Sequence, residues 1–248
     1  MTIAKDPLIS IIVPVYNEEE SVRQLLSKLL SIVYNDLQNK MGWSTEILIV
    51  DDGSTDKSFE IIREFTTGKS IVRSVRHKKN RGKGSAISTA LKHLKGSICI
   101  IQDADLEYDP SEITKLLRPI IKGEAHVVYG SRFLKLYNYK GMWANLFGNK
   151  ALSVAGSFFV RRWITDMMTC YKAFHRKLLD NLKAKSFDVE PEITVKLLSN
   201  RNIDFTEIPI NYNPRIKGKK IKKIHGFISL WRLVTTIIAV QRENRSKK

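Results

Sequence analysis

The chain has 248 residues, of which 43% are hydrophobic, 27% charged and 9% aromatic, a composition that suits one large folded domain and excludes a disordered or collagen-like polypeptide. Two cysteines, Cys99 and Cys170, are too few for a disulfide framework and fit a reducing compartment. Residues 1–125 carry 18 basic and 17 acidic side chains while residues 126–248 carry 24 and 8, so the cationic back half points to a polyanionic partner such as phosphorylated substrates or an anionic membrane.

In chain order, short β-rich runs alternate with helical patterns. Leu8–Val15 is a nearly continuous apolar run, as expected of a strand buried on both faces. A helical stretch over Glu18–Leu37 follows, then the strand Glu46–Val50 and a helix over Asp56–Phe65. Strand Ile71–Val75, helix Gly84–Leu94, strand Ile98–Gln102, helix Pro110–Ile121 and strand His126–Gly130 complete the pattern. Such alternation predicts a mostly parallel sheet wrapped by helices, which binds ligands beyond the carboxyl ends of its strands.

Those ends carry chemistry. The first strand runs into Pro14-Val15-Tyr16-Asn17-Glu18, the second into Asp51-Asp52-Gly53-Ser54, the fourth into Asp103-Ala104-Asp105-Leu106-Glu107 and the fifth into Gly130-Ser131-Arg132. Asp103 and Asp105, two residues apart in extended backbone, face one side. Paired carboxylates there suit Mg²⁺ or Mn²⁺, hard ions that share protein carboxylates with substrate phosphates. Ser54 or Asp56 is expected to cap the following helix, leaving Asp52 for a nucleobase or ribose. His77, His93, His126, His175 and His225 show no metal-ligand spacing and read as surface or filler residues.

These motifs, with Asn80-x-Gly82-Lys83-Gly84, resemble in order and spacing those of the inverting family 2 glycosyltransferases, in particular the dolichyl-phosphate mannose synthase-like branch. Asp166–Lys172 (DMMTCYK), Phe187–Glu192 (FDVEPE) and Ile208-Pro209-Ile210-x-Tyr212-x-Pro214-Arg215 fit that branch too, so the resemblance spans about residues 8–232. It implies an α/β chain of GT-A fold, a Rossmann-like mostly parallel sheet flanked by helices, over residues 1–213. A polybasic segment with C-terminal amphipathic helices would occupy residues 214–248.

The resemblance further implies that Pro14, Tyr16, Glu18, Val50 and Asp52 hold the base and ribose of a nucleotide sugar, GDP-mannose or UDP-glucose. Asp103, Ala104 and Asp105 would lie along the diphosphate, with Asp103, Asp105 and Glu107 as metal ligands and Asp105 the most direct. The synthases carry Gln at the position of Glu107. Arg132 would contact a phosphate, and Arg215 with Lys220 would match the Arg and Lys that follow the last strand. The implied reaction moves a hexose, mannose or glucose, onto a polyprenyl phosphate.

Such an acceptor arrives already ionised and needs cations rather than a base; Arg132, Lys172, Arg215, Lys217, Lys219 and Lys220 would supply them. The alternative is a saccharide or protein hydroxyl acceptor, with Asp166, Glu190 or Glu192 as the general base.

Two segments favour a membrane address. Asn145–Trp163 reads as an interfacial amphipathic helix or, equally, as one packed on the core. Arg215–Lys223, six basic residues in nine, precedes the apolar Phe227–Val240 and suits an anionic bilayer. Neither Ala151–Val160 nor Leu233–Val240 reaches the ~20 apolar residues a spanning helix needs, and residues 1–20 lack a secretory signal pattern. The expected location is therefore peripheral, on the cytoplasmic face of a membrane, with a separate membrane-anchoring subunit left open. The basic stretch lacks aromatic interleaving and any nucleic-acid motif, so no nucleic-acid partner is expected.

Overall fold

The computed structural model describes residues 7–134, 143–180, 182, 184, 189–215, 234–236 and 238. Lys217, Lys219, Lys220 and most of the proposed 214–248 segment lie outside the described residues. The core is a seven-stranded sheet in the order β3-β2-β1-β4-β6-β5-β7. Its strands are β1 (Ile9–Val15), β2 (Thr45–Asp51), β3 (Val72–Arg76), β4 (Ile98–Ile101), β5 (Val127–Ser131), β6 (Lys172–His175) and β7 (Phe205–Pro209). Strand β6 runs antiparallel to both of its neighbours, β4 and β5; the other pairings are parallel.

Side chains alternate across the sheet. Ile9, Ile11, Val13 and Val15 enter one core layer and Ile12 enters the other, as the two-residue period of a strand requires. The first layer is closed by α1 (Val22–Ile32), α2 (Ser58–Thr66) and α4 (Ile113–Ile121). The second is closed by α3 (Lys83–His93), α5 (Trp143–Val160) and α6 (Glu190–Leu198). In α1 the buried residues Val22, Leu25, Leu26 and Leu29 form one helical stripe, and a π-helical stretch, Val33–Lys40, extends it. That helix begins later than Glu18 because Asn17, in left-handed backbone at φ 51°, and the following acidic turn precede it.

At the amino ends of the strands, Glu46 binds four donors. They are Ser10 Oγ at 2.6 Å, Lys95 N at 2.6 Å, Gly96 N at 3.1 Å and an Arg73 guanidinium nitrogen at 2.7 Å. Together they hold this carboxyl below the usual range although burial opposes them. The motif residues gather at the opposite, carboxyl-end rim.

Candidate active site

The β1 and β2 ends are stitched together by the Asp51–Asp56 loop. Ser54 Oγ accepts the Asn17 N–H at 3.0 Å, Ser58 Oγ accepts that of Glu18 at 2.7 Å, and Asp56 accepts that of Glu19 at 3.1 Å. Asp56 also accepts the Ser58 N–H at 2.9 Å from just before the start of α2, whose N-cap is Lys57, so neither Ser54 nor Asp56 is the expected cap. Asp52 is not left free for a nucleotide. Its carboxylate accepts the N–H groups of Arg81 (3.0 Å) and Gly82 (2.7 Å), and His77 Nδ1 lies 2.6 Å from Oδ1. His77, read as filler in the sequence, is buried, and its Nε2 lies 2.9 Å from Thr89 Oγ1. Asp52 and His77 thus shape the entry to α3. Pro14 and Val50 are register partners on adjacent strands, with Val50 buried and Pro14 and Tyr16 half-buried at the rim.

The acidic loop after β4 divides its side chains between two directions. Asp103 Oδ1 lies 2.7 Å from Lys83 Nζ, whereas Asp105 Oδ2 lies 3.3 Å from the Arg215 guanidinium. Leu106 adopts left-handed backbone at φ 61° where the loop changes course, a conformation costly for a branched residue. Glu107 uses both carboxylate oxygens: Oε2 accepts the Tyr212 hydroxyl at 2.7 Å and Oε1 accepts the Arg215 N–H at 3.0 Å. The expected ligand trio Asp103, Asp105 and Glu107 is therefore not brought together. Among the described residues no three His, Cys, Asp or Glu side chains converge on one point.

Residues 211–215 form a strap across this rim. Besides the two bonds to Glu107, Asn211 bonds Glu112 through its backbone N–H (3.1 Å) and its amide (3.2 Å). Arg215 closes the strap with a bidentate pair to Glu18 at 2.8 and 3.0 Å, the geometry a planar guanidinium favours. Glu18, expected at the nucleotide, is thus joined to Arg215.

Asp105 lacks sufficient positive charge. Burial, then the neighbouring Asp103 and Glu107, push its carboxyl up to about 7 despite Arg215. An oxygen ligand in that condition fits Mg²⁺ or Mn²⁺, which bind through one or two carboxylates plus substrate phosphates. Ala104, between the two aspartates, is buried.

Arg132, at the end of β5, is buried and locked. Its Nε and a terminal nitrogen donate to Asp166 at 2.8 Å each, and its backbone N–H donates to Asp166 at 3.0 Å. Its guanidinium also lies 5.1 Å from the Tyr212 ring under the strap. Asp166 is itself placed by Glu207 on β7, which accepts the N–H groups of Thr165 (2.8 Å) and Asp166 (3.1 Å).

Lys172, expected to gather phosphate, is fully buried. Its ammonium donates to the carbonyls of Met167 and Thr169 and faces the Tyr129 ring, because β6 carries it into the second core layer. Burial lowers its pKa to about 8 against the pull of Glu190. Glu190, at the start of α6, binds Lys83 at 3.0 Å. Burial would raise its pKa, but Lys83 and Lys172 outweigh burial and hold the carboxyl below its ordinary value. Lys83, His77, Tyr212 and Glu207 are the rim residues that motif reading did not assign. Lys83 and Tyr212 sat inside quoted motifs, whereas His77 and Glu207 carried no local signal.

The model of glycosyl transferase family 2 matches residues 10–183. The chain is a family 2 glycosyltransferase. This glycosyltransferase is 28% identical to the UDP-N-acetylglucosamine–dolichyl-phosphate N-acetylglucosaminyltransferase of Methanococcus voltae, over 92% of its own length and 96% of that protein. It is also 28% identical to the dolichol-phosphate mannosyltransferase of Pyrococcus furiosus, over 85% of its own length and 58% of the relative. Glucosyl-3-phosphoglycerate synthase of Mycobacterium tuberculosis, solved with Mn²⁺, UDP and phosphoglyceric acid, matches with a TM-score of 0.71 at 18% identity. That match covers 94% of this chain and 78% of the synthase. The glycosyltransferase thus has the GT-A type of fold that its sequence implied.

Proposed function

We propose that this glycosyltransferase moves a hexose from a nucleotide-diphosphate sugar onto a polyprenyl phosphate, with inversion. The observation that carries the acceptor class is the state of the three candidate bases, of which Glu192 pairs with Lys196 at 3.3 Å. Asp166 is sealed by three N–H groups of Arg132, and Glu190 is bound to Lys83 and held below its ordinary pKa. A hydroxyl acceptor needs a group ready to take its proton; a lipid phosphate is already an anionic nucleophile. Further support comes from the dolichyl-phosphate transferases named above.

In this reading Pro14, Tyr16 and Val50 border the base and ribose, and Asp52 shapes the α3 entry that flanks them. Asp105 holds Mg²⁺ or Mn²⁺, with Asp103 and Ala104 along the diphosphate. When bound, the ion offsets the charge that grows on the departing nucleotide. Glu107 serves as the anchor of the strap rather than as a ligand. Arg215 leaves Glu18 and Asp105 as donor arrives and pairs with phosphate, while Arg132, paired with Asp166, stays fixed beneath it. Lys220, outside the described residues, is assigned to the acceptor phosphate by resemblance alone.

The proposed location is the cytoplasmic face of an anionic membrane. No helix among the described residues is long and apolar enough to cross one. Helix α5 packs Leu152, Ser153, Gly156, Ser157 and Val160 inward and turns Val154 and Phe158 outward, the latter 89% exposed. Trp163 follows at 72% exposed, with Lys150 and Arg161 exposed nearby.

Transfer from labelled GDP-mannose, UDP-glucose and UDP-N-acetylglucosamine to a short-chain prenyl phosphate, the matching prenol and a free saccharide tests the function. One donor is expected to label the prenyl phosphate alone. Labelling of the prenol or saccharide at comparable rate overturns the acceptor class.

A further inference from the structure

We propose that Lys83 is a positioning residue whose ammonium ties Asp103 to Glu190, leaving Asp105 as the one aspartate of the pair that faces a divalent cation. The proposal rests on the donor-and-metal reading above and adds to it the device that decides which carboxylate serves. Lys83 is the first residue of α3, Asp103 follows β4, and Glu190 opens α6. All three meet at one nitrogen: Nζ lies 2.7 Å from Asp103 Oδ1, 3.0 Å from Glu190 Oε1 and 2.9 Å from Cys170 Sγ. An ammonium has three hydrogens to donate, and three partners stand around this one. None is left for a substrate phosphate, so the side chain acts on its neighbours.

The consequence falls on the acidic loop. Asp103 and Asp105 flank a turn and their side chains diverge: Asp103 bonds Lys83, while Asp105 pairs with Arg215, which Glu18 also holds. The Lys83 side chain is only 13% exposed, so water does not weaken the tie as it would at the surface. The same nitrogen joins the loop after β4 to the start of α6. Removing it frees Asp103 to join Asp105 as a second ligand.

Mn²⁺ binding to the full chain, read by electron paramagnetic resonance of the free ion in saturating GDP and separately in saturating UDP, tests this without reference to turnover. Ligand charge count governs affinity for such ions, so Asp105→Asn is expected to weaken binding about tenfold or more and Asp103→Asn by less than about twofold. Lys83→Met is expected to tighten it by roughly tenfold, and Lys83→Met with Asp103→Asn to restore the original affinity. A lysine that only supports the fold would not raise metal affinity. If Asp103→Asn weakens binding as much as Asp105→Asn, or folded Lys83→Met binds no tighter, the tie is overturned while the metal reading stands. If the unaltered protein binds no Mn²⁺ with either nucleotide, the metal reading fails and takes this proposal with it. Should Lys83→Met not fold, the two asparagine variants still decide.

Discussion

Asp105 sits uneasily in its surroundings, since burial and two neighbouring acids push its carboxyl up to about 7 from an ordinary 3.8. Folding raises this pKa, so the protonated form adds stability that is complete below the ordinary value and lost as pH climbs toward 7. Metal binding runs the other way, because an oxygen ligand must first lose its proton. The gain in melting temperature from Mn²⁺ plus nucleotide is therefore expected to be larger at about pH 8 than at about pH 5.5, with Asp105→Asn erasing the difference. Differential scanning fluorimetry across that range checks it, and a flat profile contradicts the assignment. The acidic rim was legible because several strand ends carry motifs that recur together in order and spacing. The sequence did not reveal the partners of these carboxylates, since Lys83 is 20 residues and Arg215 110 residues from the aspartates they bind. Nor did residue type distinguish a carboxylate that faces ligand from one, like Asp52, that organises backbone.

At the scale of elements, the five strands read from apolar runs are all present: β1, β2, β4 and β5 are almost wholly buried, whereas β3, at the sheet edge, fully buries only Val72. Strands β6 and β7 escaped for opposite reasons. The four residues of β6 begin with a buried lysine, satisfied by carbonyls, that breaks the apolar pattern; β7 is a half-buried edge strand containing Glu207 and Pro209. Between β2 and α2, Gly53 sits at φ 72°, where a Cβ would come within 2.5 Å of the Lys79 carbonyl carbon and 2.7 Å of Asn80 N. Backbone cannot yield as a side-chain tip does, and Asp52 holds the adjoining Arg81–Gly82 loop in place. Gly53→Ala is expected to cost on the order of 2 kcal/mol or more. For a chain of this size that lowers the melting temperature by roughly 4–8 °C, which thermal denaturation followed by circular dichroism measures. An unchanged melting temperature contradicts the close approach.

For the molecule as a whole, the segregation of charge along the sequence and the outward apolar face of α5 both fit the proposed membrane address. Burying Phe158 and Trp163 in an interfacial layer is worth about 1.5–3 kcal/mol each, so Phe158→Ser with Trp163→Ser is expected to weaken binding to anionic vesicles by at least ~tenfold. Turnover with a water-soluble prenyl phosphate should stay unchanged, and vesicle co-sedimentation at two ionic strengths separates the apolar from the charged contribution. Binding unaffected by the double change contradicts α5 as the contact. The sheet itself imposes a further division of labour. The candidate site residues gather where β1, β2, β4 and β5 end, while the four-bond knot on Glu46 ties β1, β2 and β3 to the turn before β4 at the far pole. Durability and the proposed catalytic rim thus occupy separate territories of one scaffold, and heat tolerance is open to engineering at the base with no carboxylate of the rim disturbed.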